Sequence, residues 1–188
     1  MEMPRRKPNR IAGYDYSQSG AYFVTICTQD RKKILSKISV GTPLPGCPEM
    51  VCDNNGHPGT GVPTVELLWH GEIADKYIRQ MDVFYEHLSV DQYVIMPNHI
   101  HVILVIENPS AIHSISQIIA LYKTGVTKQI RGLYPNLQVW QRSFYDHIIR
   151  NQRSYEEIWT YVDDNPQKWE ADKFYVDLGR VENPPLQE

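Results

Sequence analysis

Two histidines separated by one isoleucine, His99-Ile100-His101, are the side chains of this sequence best placed to do chemistry. Side chains alternate along a β-strand, so residues two apart stand on one sheet face, a few ångströms from each other. Two neutral imidazoles in that arrangement can bind one divalent cation. The run that follows, Val102-Ile-Leu-Val-Ile106, is apolar throughout, so the histidines interrupt what is otherwise a buried strand. Burying them without partners costs about 1–3 kcal/mol per unsatisfied group. The alternative is a pair of histidines hydrogen-bonded at a strand end. A second candidate pair, Tyr161 and Asn165, is spaced four apart and shares one helix face if the helix reaches Asn165-Pro166. Tyrosine supplies a nucleophilic oxygen, and an asparagine carbonyl is a neutral hard ligand able to complete a shell begun by two imidazoles. A packed aromatic and an ordinary C-cap are the other readings of these two. Tyr155 lies six residues before Tyr161, about 1.7 turns away on the far side of the helix, and is assigned to packing.

The elements that must position these groups follow from periodicity. Ala21–Thr28 is aromatic and β-branched and predicts a strand. Glu66–Met81 carries apolar residues at helical spacing. Ser89–Met96 and His99–Ile106 predict two strands joined by the turn formers Pro97-Asn98. Ser114-Ile-Ser-Gln117 has the form of a capping box and opens a helix to about Arg131. A strand is expected from Val139 to about Asp146. A second capping box, Ser154-Tyr-Glu-Glu157, opens a helix that stops near Asn165. The order β-α-β-β-α-β plus a last helix predicts an α+β, ferredoxin-like split βαβ fold. Its antiparallel sheet has helices on one face, and a C-terminal helix carries the tyrosine. One domain over residues 1–188 is expected, with a flexible insertion at about 36–65. Residues 39–65 hold five of the eleven glycines and five of the thirteen prolines, a composition that predicts neither ladder nor helix. Cys47, Cys52 and His57 fall inside that stretch, but they lack the close cysteine pair and fourth ligand of a zinc site.

The chain has 188 residues, 41% of them hydrophobic and 22% charged, which excludes a mainly disordered or collagen-like protein. No apolar run approaches the roughly 20 residues that span a bilayer, and the N-terminus lacks the apolar segment of a secretory signal. Three cysteines, an odd count, favour the reducing cytosol. Net charge is −3, yet the charges are segregated. Arg5, Arg6, Lys7 and Arg10 cluster at the start. Residues 111–150 carry Lys123, Lys128, Arg131, Arg142 and Arg150 against Asp146 alone. Residues 151–188 carry nine acids against four bases. An acidic chain can thus present a basic surface.

With these residues in view, the sequence resembles a known group. His99-Ile-His101, within Met96-Pro-Asn-His-Ile-His101, resembles the HUH motif of single-strand DNA transposases and relaxases. Val139-Trp-Gln-Arg-Ser-Phe-Tyr-Asp-His-Ile-Ile-Arg-Asn151, followed by Tyr161-x-x-x-Asn165-Pro166, is similar to the REP-associated tyrosine transposases, a single-tyrosine branch of that group. So are Arg10-Ile-Ala-Gly-Tyr-Asp-Tyr16 and Gly20-Ala-Tyr-Phe-Val-Thr-Ile-Cys27. The resemblance spans most of the chain outside residues 36–65. It implies that Tyr161 attacks a DNA phosphodiester and becomes joined to the 5′ phosphate, releasing a 3′ hydroxyl. It also implies that His99, His101 and Asn165 hold Mg²⁺ or Mn²⁺ against that phosphate, and that the partner is single-stranded DNA folded into an imperfect palindromic hairpin. Relatives occur as monomers and as dimers, so either state is open, in a cytoplasmic, nucleoid-associated setting with no membrane partner. Arg5, Arg6, Lys7, Arg10, Lys123, Lys128, Arg142 and Arg150 are candidate backbone contacts, and Tyr14, Tyr16 or Tyr145 could stack on unpaired bases.

The expected activity is therefore metal-dependent cleavage and rejoining of DNA at hairpins. Two other functions stay open: a catalytically silent hairpin-binding protein derived from a transposase, and a small histidine-metal hydrolase unrelated to DNA.

Overall fold

The computed structural model describes residues 13–40, 63–108 and 113–175. A four-stranded antiparallel sheet forms its centre, in the order β4-β5-β1-β6. Strand β1 (Gly20–Cys27) exists because Tyr22, Val24 and Ile26 alternate with Ala21, Phe23 and Thr25, giving each face its own apolar stripe. It pairs on one edge with β5 (His99–Ile106) and on the other with β6 (Tyr145–Ile149). Strand β4 (Leu88–Ile95) completes the sheet through the tight turn at Pro97-Asn98. The α+β, ferredoxin-like architecture expected from the element order is the one observed, and the histidine strand lies inside the sheet.

Helices α1 (Trp69–Arg79) and α3 (Ile115–Arg131) cover one face, with the short α2 (Met81–Phe84) between α1 and β4. Ile73, Ala74 and Ile78 of α1 and Ile118, Ile119, Tyr122 and Val126 of α3 meet Tyr22, Val24, Ile26, Ile100, Val102 and Leu104 in the main core. The capping box that opens α3 is formed as expected, with the Ser114 hydroxyl and the Gln117 side chain each accepting from the other's backbone N–H. The opposite face carries a smaller core in which Ile103, Ile149 and Val162 meet Phe23, Val94, Tyr155 and Ile158. Val162, Tyr155 and Ile158 come from α4 (Gln152–Asp164). This helix therefore lies over the face to which His99 and His101 point.

Four expectations need correction. The stretch 36–65 is not loop from end to end: Ser36–Val40 (β2) and Pro63–Leu67 (β3) pair antiparallel. The glycines and prolines of the window masked two short alternating segments at its ends. Residues 41–62, with Cys47, Cys52 and His57, lie outside the described residues. The first helix starts at Trp69, because Glu66 and Leu67 are spent pairing with Lys37 and Ser36. The last strand is Tyr145–Ile149, since Val139-Trp140 makes only an isolated bridge, Trp140 to Thr28. Finally, α4 is capped by Asn151, whose side-chain oxygen accepts from the Ser154 N–H at 2.8 Å; Ser154 is already inside the helix.

The junction between β1 and α1 leaves no room at Gly71. The Leu35 backbone occupies the place of a Cβ there, while the Leu35 carbonyl accepts from Leu68 N–H at 2.9 Å and its N–H donates to the Pro97 carbonyl at 3.0 Å. Gly71→Ala is expected to destabilise the protein by about 1–3 kcal/mol through overpacking against backbone. Chemical denaturation of the variant beside the parent measures it.

Candidate active site

Every group of the site depends on where β5 begins. Cys27 faces His99 and Thr25 faces His101 across the β1–β5 pair, so both imidazoles stand on the α4 side of the sheet. Their Nε2 atoms are 3.0 Å apart. Asn98, buried in the turn just before, directs the first ring. Its amide nitrogen donates to the carbonyls of Phe174 (2.8 Å) and Arg31 (3.3 Å), which can only accept. Its Oδ1 must then be the atom 2.9 Å from His99 Nδ1, so Nδ1 carries the proton and Nε2 a bare lone pair. His101 Nδ1 lies 2.8 Å from the Thr25 hydroxyl, which accepts as readily as it donates. His101 can therefore also present a bare Nε2 to the same point. Burial holds both rings neutral, with pKa values pushed down to about 2 for His99 and about 3 for His101.

Helix α4 and the chain after it bring the remaining groups. Asn165 keeps helical backbone angles despite the following proline, so Tyr161 and Asn165 share one face. The Tyr161 hydroxyl is 3.3 Å from His101 Nε2 and donates to Asp172 Oδ2 at 3.4 Å. Asn165 Nδ2 donates to the same carboxylate oxygen at 3.3 Å, while its Oδ1 is buried with no partner among the described residues. Phe23 meets the Tyr161 ring edge-on, centroids 6.0 Å apart, and so positions the phenol against the sheet. Burial and the nearby Asp172 charge push the phenol pKa up. Asp172 itself is oriented by the Phe174 N–H, which donates to its Oδ1 at 2.6 Å. The Phe174 ring packs over His99, centroids 4.6 Å apart, and under the Arg31 guanidinium at 4.1 Å.

The donor set suits a divalent cation. Donor atoms of His99, His101 and Asp172 lie within 4.8 Å of one another. Two adjacent ligands about 2.1 Å from an octahedral ion stand about 3.0 Å apart, the spacing the imidazoles have. Two imidazoles and a carboxylate mix borderline and hard donors, as Mn²⁺, Mg²⁺ or Zn²⁺ accept. The sequence pointed to neither Asp172 nor Asn98 as a site residue, Asn98 being read only as a turn former. Asn98 adjoins the motif and could have been suspected from that alone, whereas nothing local marks Asp172, seven residues beyond Asn165.

Comparison with known proteins adds the following. No family model matches the chain. An uncharacterized protein of Haemophilus influenzae is 29% identical over 191 residues, covering 92% of this chain and 94% of its own. The structure of a REP-associated tyrosine transposase bound to a REP hairpin superimposes with a TM-score of 0.50 at 17% identity, over 92% of this chain and 77% of that one. A putative transposase from Deinococcus radiodurans gives 0.44 at 15% identity, over 87% and 97%. The likeness to the hairpin-bound structure is one of fold.

The other candidate residues are scattered. Arg5, Arg6, Lys7 and Arg10 lie outside the described residues. Lys128 and Arg142 line one open cleft, and Arg150 lines another cavity with Asp146 and His147. The Lys123 ammonium is spent on the carbonyls of Gln141, Ser143 and Arg142 at 2.5, 3.2 and 3.4 Å, so it braces a loop. Tyr16 is buried and unavailable for stacking on bases, and Tyr14 packs beside it, whereas Tyr145 is exposed. Tyr155 packs in the smaller core. Among the described residues no helix is long and apolar enough to cross a membrane.

The geometry predicts one Mn²⁺ per chain in titration calorimetry. His101→Ala should abolish the heat of binding, and Asp172→Asn, which removes a donor, should weaken affinity by at least the roughly 10–100-fold that loss of an outer-shell partner costs.

Proposed function

We propose that the protein is a metal-dependent single-stranded DNA transposase or endonuclease that cleaves and rejoins DNA at hairpin sequences through a 5′-phosphotyrosine on Tyr161. The observation that carries this reading is one phenol oxygen 3.3 Å from His101 Nε2, which itself lies 3.0 Å from His99 Nε2, with a carboxylate alongside. The fold likeness to a transposase that holds a REP hairpin supports the choice of substrate.

His99 and His101 with Asp172, and Asn165 through its unpartnered carbonyl, would hold Mg²⁺ or Mn²⁺. An ion held there would supply positive charge to offset the negative charge developing on the scissile phosphate and to favour an ionised phenol. The chain's own residues do the rest. Phe23 and α4 fix the phenol for in-line attack. The Asp172 carboxylate, already its hydrogen-bond acceptor, takes the proton as the Tyr161 oxygen bonds to phosphorus. The bond from phosphorus to the 3′ oxygen breaks, and that oxygen leaves as a hydroxyl after taking a proton from water. The phosphotyrosine conserves the bond energy, so a later 3′ hydroxyl rejoins the strand by the reverse displacement without ATP.

One observation favours a second reading. Both imidazoles have 0% of their surface exposed, because Phe174 and its neighbours cover them. A covered site suits a catalytically silent hairpin-binding protein. Incubating the protein with single-stranded hairpin DNA and either Mn²⁺ or Mg²⁺, then running a denaturing gel beside a native one, separates the two. The enzyme should yield a protein–DNA adduct that Tyr161→Phe abolishes and Tyr155→Phe retains. An adduct that persists in Tyr161→Phe overturns the nucleophile, and a retarded native complex with no adduct in either metal establishes the silent binder.

A further inference from the structure

The turn that follows β1, Gln29–Arg31, holds two consecutive non-glycine residues in the left-handed region, Asp30 at φ 55° and Arg31 at φ 54°. Side chains other than glycine adopt that backbone at a cost, and it persists where surrounding contacts over-determine it. Here the contacts lead to the site. The Arg31 carbonyl accepts from Asn98 Nδ2 at 3.3 Å, the same amide whose oxygen orients His99. Arg31 Nη1 donates to Cys27 Sγ at 2.9 Å, and Cys27 is the residue paired with His99. The guanidinium carbon stands 4.1 Å from the centre of the Phe174 ring, and that ring stands 4.6 Å from His99. Guanidinium, ring and imidazole are thus consecutive neighbours.

Among the described residues this guanidinium has no counter-charge. No ion pair engages it, and its two side-chain partners, a thiol and a ring face, are both neutral. Burial keeps that thiol protonated by pushing its pKa up. Lys173 Nζ lies 4.8 Å from the same ring and is likewise in no ion pair among the described residues. Asp172, beside Lys173 in the chain, is occupied by Tyr161, Asn165 and the Phe174 N–H. After burial and the neighbouring His101, the Arg31 and Lys173 charges help to keep His99 unprotonated, which puts both within electrostatic reach of the site. A half-buried cation left with neutral partners gains most from an anion that can reach it.

We propose that Arg31 is a catalytic residue that grips the scissile phosphate from the side away from His99, through the paired N–H groups of its guanidinium. The assignment rests on the reading that Tyr161 attacks a DNA phosphodiester. The Phe174 ring offers the guanidinium an electron-rich face. A phosphate that takes the place of the ring offers two charged oxygens instead, in the planar geometry the fork fits. As the Tyr161 oxygen bonds to phosphorus and the bond to the 3′ oxygen breaks, negative charge builds on the non-bridging oxygens. Arg31 forms and breaks no covalent bond and keeps its proton; it holds its charge against those oxygens. The strained turn and the Cys27 contact fix the fork beforehand, so little ordering remains at the moment of reaction. Lys173, exposed and on a flexible stem, has no such anchor.

The test uses the full chain and a single-stranded hairpin that the parent protein cleaves in Mn²⁺, the cut phosphate being mapped from the covalent adduct. Arg31→Gln should slow single-turnover adduct formation by about a hundredfold or more, the scale of losing one oxyanion donor. Its Mn²⁺ affinity by calorimetry should match that of the parent. The hairpin is then made with a methylphosphonate at the cut position, which replaces one charged oxygen by a methyl group. In one of the two diastereomers the deficit of Arg31→Gln should shrink to below about tenfold, because the charge that Arg31 balances is gone. An equal deficit on the phosphate and on both diastereomers would overturn the proposal and leave Arg31 a brace. So would an unslowed Arg31→Gln, or a loss of Mn²⁺ binding in it. Should Arg31→Gln fail to fold, Arg31→Lys replaces it. A smaller deficit that again depends on one diastereomer then supports the proposal, and a deficit without that dependence refutes it. No adduct from the parent protein on any hairpin removes the phosphotyrosine reading and this role with it. Adduct from the parent beside an unimpaired Arg31→Gln removes the role of Arg31 alone.

Discussion

The register of β5 against β1 governs everything built on this sheet. With a side-chain period of two, a slip of one residue would drive His99 and His101 into the main core and turn Ile100, Val102 and Leu104 toward α4. The cost of misplacing three large aliphatic side chains and two polar rings is what makes the pairing Cys27–His99 and Thr25–His101 unique. The turn reinforces it. Met96 N–H donates to the His99 carbonyl, and the Asn98 and Pro97 carbonyls accept from Thr28 and Leu35 as the chain leaves β1.

Burial sets the electrostatics of the site in two opposite directions. It keeps the imidazoles neutral, which is the state that binds a metal, and it opposes ionisation of the phenol, which is the state that attacks phosphorus. The hydrogen bonds of His101 to Thr25 and of His99 to Asn98 offset the desolvation of the two rings and aim their lone pairs at one point. A cation at their meeting point would relieve both tensions at once, satisfying the lone pairs and lowering the cost of a phenolate. Tyr161, 37% exposed, reaches solvent and hence a substrate, whereas both imidazoles are buried.

Net charge conceals a second division of labour. The acidic excess resides in the C-terminal part of the chain, from which Asp172 enters the site. Four of the five cations of residues 111–150, all but Arg150, instead gather around α3 and the loop that follows it. Not all of these are alike: Lys123 is consumed by carbonyls, whereas Lys128 and Arg142 face open space. Sequence position treats them as equivalent, and only packing distinguishes a brace from a contact.

The sequence by itself determined the sheet, its helices and the same-face placement of the two imidazoles, because side-chain periods of two and of 3.6 are local properties that survive in any tertiary setting. It also placed Tyr161 and Asn165 on one face of a helix, for the same reason. It misjudged where strands begin and end: β2 and β3 hold together only by pairing with each other, and Tyr145–Ile149 is a strand because β1 offers an edge there. Those are long-range choices that a single segment does not encode. The meeting of Tyr161 with His101, the arrival of Asp172, the lid formed by Phe174 and the fork of Asn98 were decided by tertiary structure alone. Each joins residues dozens of positions apart or separated by a turn, and such contacts come into being only when α4 docks on the sheet and buries Val162 against Ile103.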